Sequence, residues 1–406
     1  MIAHWIWLAG RPGLGPVNQR IVLELFGSAE AVYAAGRDAL LRAGLSAAAA
    51  DSLSDKELGP AESVACRCAE TGIRVLTLAD EDYPAPLRAV SDAPTVLYLK
   101  GRLPAMGSAP VIGLVGSRDA DSRGLSMARQ LGWQIAGCGG IVVTGMARGI
   151  DAWSAHGALD CGGAVIGVLG CGVDVVYPKQ EAALFARVAE QGCLISEYLP
   201  GTAPNARHFP ARNRIISALS DGVPVIQARE KSGALITARW AADQGRDVFA
   251  VPGPAGEALS RGCNGLLRDG AILAENGWDI MSEYEYRYPG AVREFHGRPN
   301  PPAPEKEPAR TGDVRSRNAA PPEKRASAEA SVPPRREPPD LSALTPIQRS
   351  VAEALQSGPM QLDALLDRLD LPAAAVLPQL TLLQIKHVIF CHPGKIYSLE
   401  EPEIRR

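Results

Sequence analysis

The chain of 406 residues carries 42 Lys and Arg against 45 Asp and Glu, a net charge of −3, and 46% of it is hydrophobic. That length allows two or three domains with sizeable cores, and the slight acidity excludes a protein that binds nucleic acid through a chain-wide cationic surface, so any such site must be a local basic patch. None of the eight cysteines forms a C-x-x-C pair or has a histidine at zinc-ligand spacing, so free thiols in a reducing cytoplasm are expected, not a metal site or a disulfide framework.

Met1–Leu8 has no basic start and no long apolar core, so no secretory signal is expected. Residues 1–70 read as short helices over 17–26, 29–35, 37–43 and 60–71, broken by Gly, Pro or Ser at 13–16, 27–28 and 44–46. Between 71 and 288 the pattern changes. Short β-rich runs at 111–115, 141–144, 164–169, 193–196, 223–227 and 247–251 alternate with helical stretches at 124–137, 151–159, 180–190, 213–218 and 235–244. Continuous apolar strands of this kind are buried on two faces, which predicts a Rossmann-like, doubly wound, mostly parallel α/β sheet. The apolar run 164–170 is far too short to span a bilayer.

Residues 289–340 are rich in Pro, Arg, Glu and Ala and almost lack large apolar side chains. Such a segment cannot bury enough surface to offset the entropy of ordering, so a disordered linker is predicted. Residues 341–406 recover a pattern: helices over 345–355, 361–368 and 373–383, then strands at 388–391 and 396–399 around His392-Pro393-Gly394-Lys395. Three helices and a hairpin outline a winged helix. Its third helix carries no Arg or Lys, which favours a protein-interaction role over reading a duplex groove.

The chemistry concentrates in six Gly-rich or donor-rich turns after the strands: Gly116-Ser117-Arg118, Thr144–Asp151, Gly170–Asp174 leading to Tyr177-Pro178-Lys179, Phe209–Arg214, Lys231–Thr237 and Pro252-Gly253. In a doubly wound sheet these turns converge on one crevice beyond the carboxyl ends of the strands. There, backbone N–H groups and helix N-termini face an anion, and Arg adds bidentate donors for phosphate. A phosphate-rich ligand is therefore expected. Gly116 is followed by Arg118 instead of a second Gly, so no G-x-G-x-x-G is present and NAD is not expected.

The runs VGSR at 115–118, TGMARGIDAWSAHGAL at 144–159, GVLGCGVDVVYP at 167–178, FPARNRIIS at 209–217, SGALITA at 232–238 and VFAVPG at 248–253 resemble the signature series of the DprA/Smf family in order and spacing. DEDYPAPL at 80–87 and APTVLYLKG at 93–101 fit the same series. The resemblance covers roughly residues 1–288 and 341–406. It implies a SAM/HhH-like helical start, a sheet domain that binds single-stranded DNA and dimerises, and a winged-helix end. It also implies a cytoplasmic protein that helps load the RecA recombinase onto DNA during natural transformation, with no catalytic residue, cofactor or metal. On it, the DNA phosphate-binding set comprises Gly116, Ser117, Arg118, Gly145, Ala147, Arg148, Gly149, Lys179, Arg212, Asn213 and Arg214, with Phe209 and Tyr177 as candidate rings for stacking bases, burial in the core being the alternative for both. Gln227 stands where family members more often carry an acidic residue.

Several residues admit a plainer role. Arg212, Asn213 and Arg214 cannot all face the crevice, and at least one Arg is expected to make an internal ion pair. Asp151 and His156, five apart on one helix, do not share a face as an acid–base pair would, so capping and packing are expected of them. Cys171 is expected to fill a tight loop, and Pro12–Pro16, which resembles a helix-hairpin-helix turn, is expected to pack. The competing functions are a nucleotide-processing enzyme or a nucleotide sensor on the same fold. The PGGxGTxxE run of the related phosphoribohydrolases is absent from the chain.

Overall fold

The computed structural model describes residues 2–295, 297, 345–369, 371, 376, 379, 380, 383, 388–392 and 396–399. Those up to 297 form one compact unit and those from 345 onward a second. The predicted linker beyond 297 lies outside the described residues.

Six helices precede the first strand: α1 (Ile2–Ala9), α2 (Pro16–Phe26), α3 (Ala29–Ala34), α4 (Arg37–Arg42), α5 (Ala47–Ser54) and α6 (Gly59–Glu70). Pro16 opens α2, where its missing N–H costs nothing, and Gly27 ends it in the left-handed region at φ 84°. Ser28 and Ser46 cap α3 and α5 through their hydroxyls. Sequence reasoning found no helix at α1 or α5. Each is eight residues long, and α5 begins at the Ser46 that reads in isolation as a break. Trp7, Leu8, Val22, Leu40 and Leu53 make a core of their own. Pro12–Pro16 joins this packing: Leu14 is buried, and its carbonyl accepts from the Gln19 amide at 2.8 Å. Gln19 also accepts from the Thr95 hydroxyl at 2.7 Å, and Arg20 donates to the carbonyls of Arg88 and Val90. These bonds join the helices to the sheet that follows.

The sheet has nine strands: β1 (Arg74–Thr77), β2 (Val96–Gly101), β3 (Val111–Gly113), β4 (Ile141–Thr144), β5 (Val165–Val168), β6 (Cys193–Ser196), β7 (Gly222–Val225), β8 (Asp247–Ala250) and β9 (Ile272–Leu273), in the order β1-β2-β6-β5-β4-β3-β7-β8-β9. From β6 to β9 all pairs are parallel, while β1 and β2 add an antiparallel edge. Side chains alternate between two cores, as strand geometry requires. Ile112, Val142 and Val165 pack under α8 (Ser122–Gly137), α9 (Ile150–Asp160) and α10 (Ala182–Gln191). Val111, Val143 and Ile166 pack under α11 (His208–Leu219) and α12 (Gly233–Asp243). The predicted doubly wound, mostly parallel sheet is therefore present.

The second unit holds a helix at Pro346–Leu355, opened by a capping box of Thr345 and Gln348, and another at Leu362–Leu369. A three-stranded antiparallel sheet pairs Met360–Gln361 and Phe390–His392 with Ile396–Ser398. Of the predicted helix 373–383, positions 376, 379, 380 and 383 are helical, with Val376, Leu380 and Leu383 in the core. Its other positions, and 393–395 of the hairpin turn, lie outside the described residues. No described helix is long and apolar enough to cross a membrane.

Candidate nucleic-acid interface

Strand β3 pairs with both β4 and β7, so the chain leaves it first to one side and later returns to the other. This is the switch point of the sheet, where a crevice opens beyond the carboxyl ends of the strands. The loops 114–121, 145–149, 169–178, 197–207 and 226–232 all stand at that end.

The floor is the loop from Gly145 to Gly149. Met146 takes φ 56°, uncommon for a residue with a side chain, and its thioether is fully buried in the core. Gly149 has φ +81°, and a Cβ there would stand 2.5 Å from the Ser117 carbonyl oxygen and 2.7 Å from that of Arg118. Only glycine lets the two loops touch. At Gly145 a Cβ would fall 2.5 Å from the Arg212 guanidinium. Arg212 therefore lies directly beneath the floor. It is 3% exposed, and its Nη1 donates to the Val168 carbonyl. Beside it the Asp151 carboxylate accepts from the Ala147 N–H at 3.4 Å. Asp151 is not the cap of α9. Gly149 occupies that position without a side-chain bond, and Asp151 ties the floor loop to the first turn instead. His156 points elsewhere, toward Arg187 at 3.3 Å.

Burial dominates the electrostatics of this pair. It lowers Arg212 to about 10 and raises the Asp151 carboxyl to about 6, each shift opposed by the partner's charge. A carboxyl raised on folding holds its proton in the native chain after the unfolded chain has lost it. Its contribution to stability is full below about pH 4 and is lost as pH rises through about 6. Asp151→Asn is therefore expected to flatten the pH 4–7 profile of the urea midpoint by an amount on the order of 3 kcal/mol at its upper end. A variant profile parallel to wild type would show that Asp151 does not titrate there.

One wall presents cations. Arg118 is exposed, its guanidinium over the Phe209 ring at 5.1 Å. Phe209 packs on Tyr177 at 5.6 Å, and Tyr177, 43% exposed, is the more open ring. Lys179 follows at the start of a single 3-10 turn, Lys179–Glu181, and is exposed. Arg118 and Lys179, with the exposed Arg207 of the loop before α11, have no carboxylate partner among the described residues. Arg207 was not singled out from the sequence. Arg148 is exposed and bonded to Asp119 at 2.6 Å, a surface pair that a phosphate can replace at little cost.

The predicted turn Phe209–Arg214 is the start of a helix. Pro210 falls in the first turn of α11, where no N–H is needed, so α11 begins at His208. Two residues on a helix diverge by about 200°, which sends Arg212 and Arg214 to opposite sides. Arg214 is buried against Glu197 at 2.5 Å and Asp92 at 3.4 Å, so the expected internal ion pair exists and Arg214 does not reach the crevice. Asn213 is half-buried and donates to the Gly233 carbonyl at 3.3 Å, bracing α12.

Gln227 has a role that its sequence context did not show. Its carbonyl accepts from the Ser117 N–H at 2.7 Å, and its side chain exchanges bonds with Asp121 at 2.8 and 3.2 Å. Asp121 in turn caps α8 through the Gly124 N–H. Gln227 thus fixes the loop that carries Arg118. Cys171 is buried, which pushes its thiol up to about 11 and leaves it unreactive.

A family model described as DNA recombination-mediator protein A matches residues 74–285, and one described as DprA winged helix domain matches residues 334–395. The chain is 40% identical over 212 residues to the DNA processing protein DprA of Streptococcus pneumoniae, covering 52% of this chain and 74% of that one. It is 38% identical over 218 residues to DprA of Bacillus subtilis, covering 54% and 73%. The X-ray structure of DprA from Streptococcus pneumoniae superposes with a TM-score of 0.62 at 31% identity, over 73% of this chain and 99% of that one.

Proposed function

Since the chain belongs to the DNA recombination-mediator protein A family, we propose that it binds single-stranded DNA without reading its sequence and helps load RecA onto that strand during DNA uptake. The observation that carries this reading is the exposed Arg118, held over the Phe209 ring of an aromatic pair at the switch point of the sheet and in no ion pair with a carboxylate among the described residues. Phosphate contacts from Arg and backbone N–H groups position a strand but carry no base information. Stacking on Tyr177 requires unpaired bases, which favours a single strand over a duplex.

In this reading Gly116, Ser117, Arg118, Ala147, Arg148, Gly149, Lys179 and Arg207 line the strand. Gly145 admits the buried Arg212, which adds charge from below, and Asn213 and Arg214 support the wall. The protein acts as a binding protein and not an enzyme: Asp151 is committed to the floor loop and Cys171 is buried. It works in the cytoplasm as a homodimer formed through the sheet domain.

The test is binding of the full chain to fluorescent poly-dT over a salt series, with matched duplex and mononucleotides as competitors. Tight, salt-sensitive binding preferring the strand is expected. Preference for a mononucleotide would instead mark a nucleotide sensor. Loading is tested by RecA ATPase on poly-dT at sub-saturating RecA, which the protein is expected to raise; no change would remove RecA loading from the reading.

A further inference from the structure

Helix α9 is buried on nearly every side, with Ile150, Asp151, Ala152, Ser154, Ala155, Gly157, Ala158 and Leu159 all enclosed. In its first turn one residue breaks this pattern. Trp153 is 38% exposed, the largest apolar side chain type at the one outward position. Its indole has no ring or cation partner among the described residues. The next outward residues are engaged, His156 with Arg187 and Asp160 with Arg129 and Arg187.

The position of Trp153 gives the exposure meaning. Its N–H donates to the Gly149 carbonyl at 3.1 Å, so it stands one turn above the residue that abuts the backbone of Ser117 and Arg118. Side chains on a helix lean toward its N-terminus and cover the preceding turn. The Trp153 side chain therefore leans toward the Gly149 end of α9, the end at which the crevice loops stand. An apolar protein partner would need a wider apolar patch, whereas the loop that leads into α9 carries the exposed Arg148, paired with Asp119. A π-face one helical turn from the loops that carry Arg118 and Arg148 suits a nucleobase whose phosphates lie on those cations.

We propose that Trp153 is a base-stacking platform at the α9 side of the crevice for a strand bound at Arg118 and Arg148. This rests on the single-strand reading above.

The test uses the full chain with Trp153→Ala, Trp153→Phe and Arg118→Ala, each on an oligo-dT and on an abasic oligomer of equal length, over a salt series. Trp153→Ala is expected to weaken oligo-dT binding roughly 5- to 150-fold. Its salt slope and its abasic affinity should stay unchanged, since stacking releases no counterion. Trp153→Phe should keep most of the affinity and serves as the folding control. Three outcomes would overturn the assignment: wild-type affinity in Trp153→Ala while Arg118→Ala is weakened; an equal loss on both oligomers; or a loss that follows a change in oligomeric state. Failure of wild type to bind either oligomer would overturn both this platform and the reading it rests on.

Discussion

Arg118→Ala is expected to weaken poly-dT binding by roughly ten- to a hundredfold, the range of a charge-assisted hydrogen bond. The slope of log affinity against log salt should become shallower by about 0.7, the contribution of one phosphate on a single strand. Both effects follow from geometry. The guanidinium is exposed, is in no ion pair with a carboxylate among the described residues, and is held in place by the Phe209 ring at 5.1 Å. Gln227 fixes the loop from behind through the Ser117 N–H, so little order has to be gained on binding. Arg118→Lys keeps the charge but loses the planar fork and the stack over Phe209, and an intermediate affinity with a wild-type salt slope is expected. If Arg118→Ala binds poly-dT as wild type does, with the same slope, the strand does not pass the switch point.

The largest effect on stability is expected from Arg214→Ala, about 3–5 kcal/mol measured by urea denaturation at pH 7.5. The substitution leaves Glu197 and Asp92, both largely buried, facing each other without their cation. Burial already raises the Glu197 carboxyl above its ordinary range, against the pull of Arg214, and the variant should raise it further. A carboxyl with a raised folded value stabilises the chain below its unfolded value and loses that contribution as pH rises. The deficit of the variant should therefore be largest near neutrality and shrink toward pH 5. A loss under 1 kcal/mol, or one that is the same at both pH values, would mean that the triad is not a structural unit. At temperatures well below its unfolding transition the variant should bind poly-dT like wild type, because Arg214 faces the interior.

Arg118 and Arg214 show where a linear reading works and where it stops. Gly116-Ser117-Arg118 follows a short, continuous apolar run and precedes a helix, the pattern of a strand buried on both faces of a parallel sheet. The turn after it must lie at the carboxyl end of the sheet, so the exposed Arg118 was legible from local order alone. Phe209–Arg214 has the same donor-rich look. Pro210 fits the first turn of a helix as readily as a loop, and the helical rotation between positions 212 and 214 then decides which arginine faces the floor and which faces Glu197.

Gln227 stood out only as a departure from the family's usual acidic residue and Trp153 gave no signal, because the first acts on Asp121, 106 residues away, and the second through exposure on a helix largely enclosed. By itself the sequence determined the strand–helix alternation, the parallel sheet and the turns that ring its crevice, since these depend on the period of apolar residues and on the backbone freedom of glycine. The tertiary structure alone decided which charges are presented and which are neutralised, that β1 and β2 close one edge antiparallel, and how the helical start joins the sheet. Burial, ion pairing and strand order are set by contacts between residues far apart in the chain, which no local pattern encodes.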